Sequence, residues 1–195
     1  MSSAARSRAE LSEQVAALIL RRGYERREEP FTLASGGTSH DYIDGKYSVD
    51  AGEALQLVSR AIIAVADDLG VEFDAVGGLT MGADCFAHGV AIVAGCRWFS
   101  VRKEPKGRGR EQWIEGTRLG EGDRVLLVDD VITTGGSTLK ALDKVLETGA
   151  TVVAAVPMAD RGDTAAPAFA ARGIAYGAVV TYVDLGIEPV VPVSS

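Results

Sequence analysis

The fourteen residues Val125-Leu-Leu-Val-Asp-Asp-Val-Ile-Thr-Thr-Gly-Gly-Ser-Thr138 place two adjacent carboxylates, Asp129 and Asp130, directly before a run of hydroxyls and glycines. The apolar half reads as a buried strand, and Thr133 to Thr138 as the turn that opens a helix near Ser137. Gly135 and Gly136 let the backbone curl so that successive N–H groups converge. Thr133, Thr134, Ser137 and Thr138 add hydroxyls beside the positive end of that helix. The combination is a cradle for one phosphate. It lacks the Gly-Lys-Ser/Thr ending of a Walker loop, and no GxGxxG follows any predicted strand, which weighs against nucleoside triphosphates and dinucleotides. Asp129 and Asp130 stand one strand-step earlier, where the hydroxyls of a ribose carried on that phosphate would lie. Two acids there can accept from those hydroxyls or face a magnesium ion that the sugar holds. An acid-capped turn with no special role would account for the Asp-Asp pair alone, but not for the whole string.

A second concentration of chemistry precedes it. Arg102 to Arg118 holds six basic residues (Arg102, Lys103, Lys106, Arg108, Arg110, Arg118) and three acidic ones (Glu104, Glu111, Glu115), a local excess of positive charge. Pro105, Gly107 and Gly109 make the segment a poor helix or strand, so it reads as a mobile lid whose charge suits a pyrophosphate. A solvated hairpin is the plain alternative for any such charge run.

Repeated strand–helix units must position these loops. Leu11, Val15, Leu18 and Ile19 predict an amphipathic helix over residues 9–22, and Ala54 to Leu69 predict a second, each closed by a glycine. Short β-branched runs follow at 73–76, 97–101, 124–128, 151–156 and 175–181, with helical stretches near 83–93, 137–148 and 164–171. Alternation of this kind implies an α/β fold, a mostly parallel sheet covered by helices on both faces, with ligands bound beyond the carboxyl ends of the strands.

The chain of 195 residues has the length of a single domain, with 20 Lys and Arg against 27 Asp and Glu. That acidic balance argues against a broad nucleic-acid surface, so any anion site must be local. Cys85 and Cys96 form no metal-ligand spacing with His40 and His88. There is no apolar run long enough for a membrane span and no signal-type start, so the expectation is a soluble, cytoplasmic protein without a membrane partner. His88 and Trp98 read as structural residues, Trp98 in the core and Trp113 in lid or interface packing.

The string VLLVDDVITTGGST resembles the phosphoribosyl pyrophosphate signature of the type I phosphoribosyltransferases. Four further segments, in order, are similar to the orotate phosphoribosyltransferases among them: Phe31-Thr-Leu-Ala-Ser-Gly-Gly-Thr-Ser39 with Tyr42-Ile-Asp44, Gly77-Gly-Leu-Thr-Met-Gly82, Arg102-Lys-Glu-Pro-Lys106 and Asp160-Arg-Gly-Asp163. The resemblance implies the type I fold over residues 1–195, with a small hood formed by about 1–50 and the C-terminal segment. It implies transfer of the 5-phosphoribosyl group to orotate, with magnesium as cofactor, in a homodimer whose lid serves the partner's site. Phosphoribosyl pyrophosphate would then be held by Arg102, Lys103, Lys106, Arg108, Asp129, Asp130 and Thr133 to Thr138 (Thr133, Thr134, Gly135, Gly136, Ser137, Thr138). Lys106, Asp129 and Asp130 would be catalytic. Orotate would meet Ser35, Gly36, Tyr42, Thr133 and Arg161, the loop over 77–82 would hold pyrophosphate through its amides, and magnesium would arrive with the substrate near Asp129 and Asp130.

The chain departs from the family where a lid histidine is usual, since Gly107, Arg108 and Gly109 follow Lys106, and where His40 and Ala34 replace a proline and a lysine. These changes leave a purine or another pyrimidine open as the base. A non-catalytic sensor of phosphoribosyl pyrophosphate is a further alternative, against which stand the acidic balance and the lack of an appended basic helix-turn-helix.

Overall fold

The computed structural model describes residues 7–32, 36–106 and 112–191. Ser35 and Arg108 lie outside them. Helix α1 (Arg8–Arg22) starts at a capping box: the Ser7 hydroxyl accepts from the Glu10 N–H at 3.3 Å, and the Ser7 N–H donates to the Glu10 carboxylate at 2.8 Å. Its predicted stripe, Leu11, Val15, Leu18 and Ile19, is buried. The chain continues through β1 (Tyr24–Thr32), β2 (Thr38–Ile43), the short α2 (Gly45–Ser48) and α3 (Gly52–Asp68), which packs against α1.

The main sheet is built from β3 (Ala75–Leu79), β4 (Arg97–Lys106), β5 (Gln112–Gly116), β6 (Arg124–Ile132), β7 (Thr151–Asp160), β8 (Ala175–Tyr176) and β9 (Val180–Thr181), with α4 (Asp84–Ala94), α5 (Gly136–Leu146) and α6 (Ala165–Ala170) between them. Its order is β5-β4-β3-β6-β7-β8, with β9 beside β7, and every pairing is parallel except β4 with β5. Alternate residues of each strand feed two cores, which is why the central strands read as unbroken apolar runs. Val76, Leu126, Val128, Ala154 and Val156 join α1, α3 and α4 on one face. Ala75, Val125, Leu127, Val152 and Ala155 join α5 and Phe169 of α6 on the other. Among the described residues no helix is long and apolar enough to cross a membrane.

Three expectations change, and one element had no expectation. The basic segment is not irregular up to its ends: Arg102 to Lys106 belong to β4, and Gln112 pairs back with Lys106 in β5. The apolar residues Val101 and Ile114 face each other in that pairing, and Pro105 lies within β4 without breaking it; Gly107 and Gly109 lie outside the described residues. The run at 175–181 is two short strands, because Pro157 of β7 can accept from the Val179 N–H at 3.1 Å but has no N–H to return. Trp98 is 40 % exposed, not in the core, and its ring meets His88 edge-on at 4.4 Å. Finally, the β1–β2 hairpin was not legible: β1 is almost wholly exposed and shows no alternation, and Pro30 falls within its register shift.

Candidate active site

Strand β6 delivers the two acids at its carboxyl end, and they settle into different surroundings. Asp129 is 5 % exposed. One of its oxygens accepts from the Thr138 hydroxyl at 2.7 Å and the other from the Asp130 N–H at 3.0 Å. Burial, with the Asp130 charge beside it, pushes the Asp129 carboxyl up to about 7. Asp130 turns its carboxylate outward, where the Lys46 ammonium stands 3.6 Å away. Backbone approaches the pair closely from the loop after β3: a β-carbon on Gly82 would lie 2.8 Å from an Asp129 oxygen and 3.0 Å from an Asp130 oxygen.

The hydroxyl-rich turn follows as expected. Gly135 takes φ of +78° at the N-cap of α5, a conformation that favours glycine, and no side chain caps that helix. Its first-turn N–H groups therefore face the same hollow as the Thr133, Thr134 and Ser137 side chains. The hollow, a cavity of about 500 Å³, is lined by Asp129, Asp130 and every residue from Thr133 to Thr138, with Thr80, Met81 and Gly82 opposite. A second cavity of about 580 Å³ adjoins it, lined by Lys46, Thr80, Met81, Gly82, Arg102, Lys103 and Glu104.

Arg161 follows the end of β7. Its N–H donates to the Ile132 carbonyl at 2.8 Å, and its carbonyl accepts from the Val190 N–H at 2.7 Å. Asp160, held by the Tyr176 hydroxyl at 2.6 Å and the Gly162 N–H at 3.0 Å, fixes the turn. The Arg161 side chain is buried, with 2 % of the residue exposed. Nη2 donates to the Ser39 hydroxyl at 3.0 Å, Nε has no partner, and no carboxylate among the described residues lies within ion-pair distance. Burial lowers its pKa, opposed by the charge of Asp41. Asp41 itself is taken up by Tyr24 and Arg26, each at 2.8 Å.

The sequence-predicted residues therefore divide. Asp129, Asp130, Thr133 to Thr138 and Lys103 share one cavity, and Arg102 reaches the second, although its guanidinium is bound to Glu115 at 2.8 Å. Lys106 lines neither cavity of its own chain and pairs with Glu115 at 3.4 Å. Tyr42 lies on the face of β2 opposite Ser39 and Asp41, packed edge-on against Phe31 at 5.3 Å, so the β2 residue that meets Arg161 is Ser39. Gly36 is exposed and lines neither cavity. Lys46 and Lys140 line the first cavity and were not singled out from the sequence. No local pattern marks Lys46, which reaches the acids by tertiary approach, whereas the position of Lys140 in the first turns of α5 was a readable signal.

A family model described as a phosphoribosyl transferase domain matches residues 48–178. The orotate phosphoribosyltransferase of Rhodopirellula baltica is 38 % identical over 168 residues, 82 % of this chain and 86 % of that protein. That of Thermosynechococcus vestitus is 38 % identical over 184 residues, 92 % and 95 % of the two chains. Among solved structures, the Mycobacterium tuberculosis orotate phosphoribosyltransferase in complex with 5-phospho-alpha-D-ribosyl 1-diphosphate superposes with a TM-score of 0.74 at 33 % identity, covering 91 % of this chain and 99 % of that one. With the acids, the hydroxyl-rich turn and the flanking loops in the order that the sequence resemblance required, the chain belongs to the orotate phosphoribosyltransferase family.

Proposed function

We propose that this protein transfers the 5-phosphoribosyl group from phosphoribosyl pyrophosphate to orotate, giving orotidine 5-phosphate and pyrophosphate in pyrimidine nucleotide synthesis. The observation that carries the choice of base is Arg161. A buried guanidinium with an unpartnered Nε and no counter-ion among the described residues is costly, and an anionic base beside it would repay that cost. Its backbone is bonded to Ile132, the residue before the phosphate turn, so base and donor would meet at the same strand ends.

In this reading the turn from Thr133 to Thr138 holds the 5-phosphate and Asp130 accepts from the ribose hydroxyls. Asp129, fastened to Thr138, braces the strand end between them. The bond from the anomeric carbon to the diphosphate oxygen breaks with its electron pair leaving on the diphosphate. The bond from that carbon to the orotate ring nitrogen forms as that nitrogen gives up its proton, which the departing diphosphate can accept. No protein nucleophile is needed, so the chain contributes orientation and charge. Among the described residues no group of three or more His, Cys, Asp or Glu side chains could hold a metal unaided. The outward Asp130 carboxylate does fit a magnesium ion that arrives on the substrate, since that ion keeps waters and takes one or two carboxylates with phosphate oxygens. Bound there, it would neutralise charge on the leaving diphosphate. Because Lys106 does not line its own chain's cavities, the reading also includes a homodimer in which the β4–β5 hairpin of one protomer serves its partner.

The test offers orotate, uracil, adenine and hypoxanthine separately to the purified protein with phosphoribosyl pyrophosphate and magnesium, the products being identified by mass. Formation of orotidine 5-phosphate alone is expected. Turnover of a purine with no orotate product would overturn the assignment.

A further inference from the structure

The cation nearest the paired acids belongs neither to the phosphate turn nor to the basic hairpin. Lys46 lies on α2, in the hood, and its ammonium is the ion-pair partner of Asp130. We propose that Lys46 is a diphosphate-binding residue, which holds Asp130 while the site is empty and passes its ammonium to the leaving diphosphate when the phosphoribosyl donor enters. The inference rests on the donor assigned above.

Position is the first argument. The two cavities share Lys46, Thr80, Met81, Gly82 and Lys103, and the second contains neither the acids nor the phosphate turn. A donor with its 5-phosphate in the turn and its ribose at Asp130 must direct the substituent of its anomeric carbon toward that second cavity. Lys46 stands at the junction that the diphosphate has to cross.

Availability is the second. At 3.6 Å the contact with Asp130 is an ion pair too long for a hydrogen bond, and the Lys46 side chain is half exposed. Pairs of this kind contribute little, so leaving one costs little, whereas a diphosphate offers more charge and oxygens that can accept hydrogen bonds. Arg102, on the same cavity, is already clamped by Glu115 at 2.8 Å and the Glu104 carbonyl at 3.1 Å. Lys103, by contrast, makes no ion pair among the described residues, so on that cavity Lys103 is unpaired and Lys46 is held only by its long contact with Asp130.

Delivery is the third. The Asp44 carboxylate accepts from the N–H groups of both Lys46 and Tyr47 at 3.0 Å, and the Asp44 N–H donates to the Gly23 carbonyl at 2.8 Å. Gly45 has no β-carbon to keep α2 from lying against Asp130. The backbone at Lys46 is thus held from both sides, and only its side chain can swing. The exchange also links the two halves of the donor, because Asp130 gains ribose hydroxyls as it gives up its ammonium.

Calorimetric titration of the full chain separates the parts of the donor, with magnesium pyrophosphate and ribose 5-phosphate as probes. Lys46→Gln should weaken magnesium pyrophosphate at least tenfold, leave ribose 5-phosphate within twofold, and raise KM for phosphoribosyl pyrophosphate without raising that for orotate. Lys46→Arg should restore most of the pyrophosphate affinity, and an unchanged thermal midpoint in both variants would exclude misfolding. Unaltered pyrophosphate binding in Lys46→Gln overturns the proposal, as does a loss confined to ribose 5-phosphate, which would put Lys46 on the other phosphate. If the wild-type chain makes no nucleotide from orotate while pyrophosphate binding still depends on Lys46, the anion site stands and the reaction assigned above falls.

Discussion

A β-carbon added to Gly45 would lie 2.6 Å from the β-carbon of Asp130, so α2 and β6 touch where a glycine allows it. The neighbour is the rigid base of a side chain, which cannot swing away. Gly45→Ala should therefore push α2 off β6, at a cost of about 1–3 kcal/mol in stability, the range for overpacking a close contact. If Lys46 acts on the donor, KM for phosphoribosyl pyrophosphate should rise in the same variant while that for orotate changes little. Urea unfolding and steady-state kinetics on one preparation measure both effects.

Asp129 predicts a pH dependence of stability. Its carboxyl is held up at about 7 in the folded chain, against an ordinary value of 3.8. Between those values the folded state keeps a proton that the unfolded state has released, so this group's contribution to stability falls as pH rises from about 4 to about 7 and is level above that. Asp129→Asn removes the ionisation. Relative to wild type, the variant should gain stability between pH 5 and pH 8, by on the order of 1–3 kcal/mol at 1.4 kcal/mol per unit. Denaturant unfolding at the two pH values reads it, and a parallel shift of both proteins would show that Asp129 titrates normally. Turnover should fall in Asp129→Asn at every pH, and Asp129→Asn combined with Asp130→Asn should abolish it with the fold intact.

The strands and helices of the parallel sheet and the hydroxyl-rich turn were readable because each pattern is local. Leu126 and Val128, or Gly135 and Ser137, carry their meaning in spacing alone. The hairpin of residues 24–43 was not readable, because Arg27 stacks on Phe31 and Tyr42 at 5.0 and 4.8 Å and Asp41 is buried under Tyr24 and Arg26, contacts that no periodicity announces. The same reason hid Ser39 as the partner of Arg161, 122 positions away, and Lys46 as the partner of Asp130. Tyr42 was singled out by motif, but strand alternation turns it to the other face.

Arg161 predicts a division between binding and stability. Arg161→Met keeps an apolar stem of similar length while removing a buried charge that has no counter-ion among the described residues. Replacing such a charge with a hydrophobe is often neutral or stabilising, so the free energy of unfolding should not fall by more than the bond to Ser39 is worth, about 1.5–3 kcal/mol for a charged donor. KM for orotate should rise ten- to a hundredfold, the equivalent of about 1.5–3 kcal/mol for a lost charge-assisted contact. KM for phosphoribosyl pyrophosphate should stay near its original value. An equal rise in both would mean that Arg161 only braces the Ile132 carbonyl and the turn beyond it.

Lys106 predicts how two chains share a site. In its own chain it lies 3.4 Å from Glu115 at the outer end of β4, away from both cavities, on a hairpin at the sheet edge. If that hairpin serves a partner, Lys106→Ala and Asp130→Asn homodimers should each be nearly inactive, one lacking the cation for the leaving group and the other the ribose acceptor. In a mixed dimer with exchanged hairpins, one site receives both lesions, and the other receives an intact Lys106 beside an intact Asp130. Complete exchange makes about half the dimers mixed, each with one working site, so activity should return to about a quarter of wild type. Native mass spectrometry counts the mixed species, and activity should rise in step with them. If mixed dimers form and activity does not return, either the hairpin acts within its own chain or Lys106 is not the group that meets the diphosphate. Lys103→Ala mixed with Asp130→Asn is the control, because Lys103 lines its own chain's cavities and exchange should restore no activity for that pair.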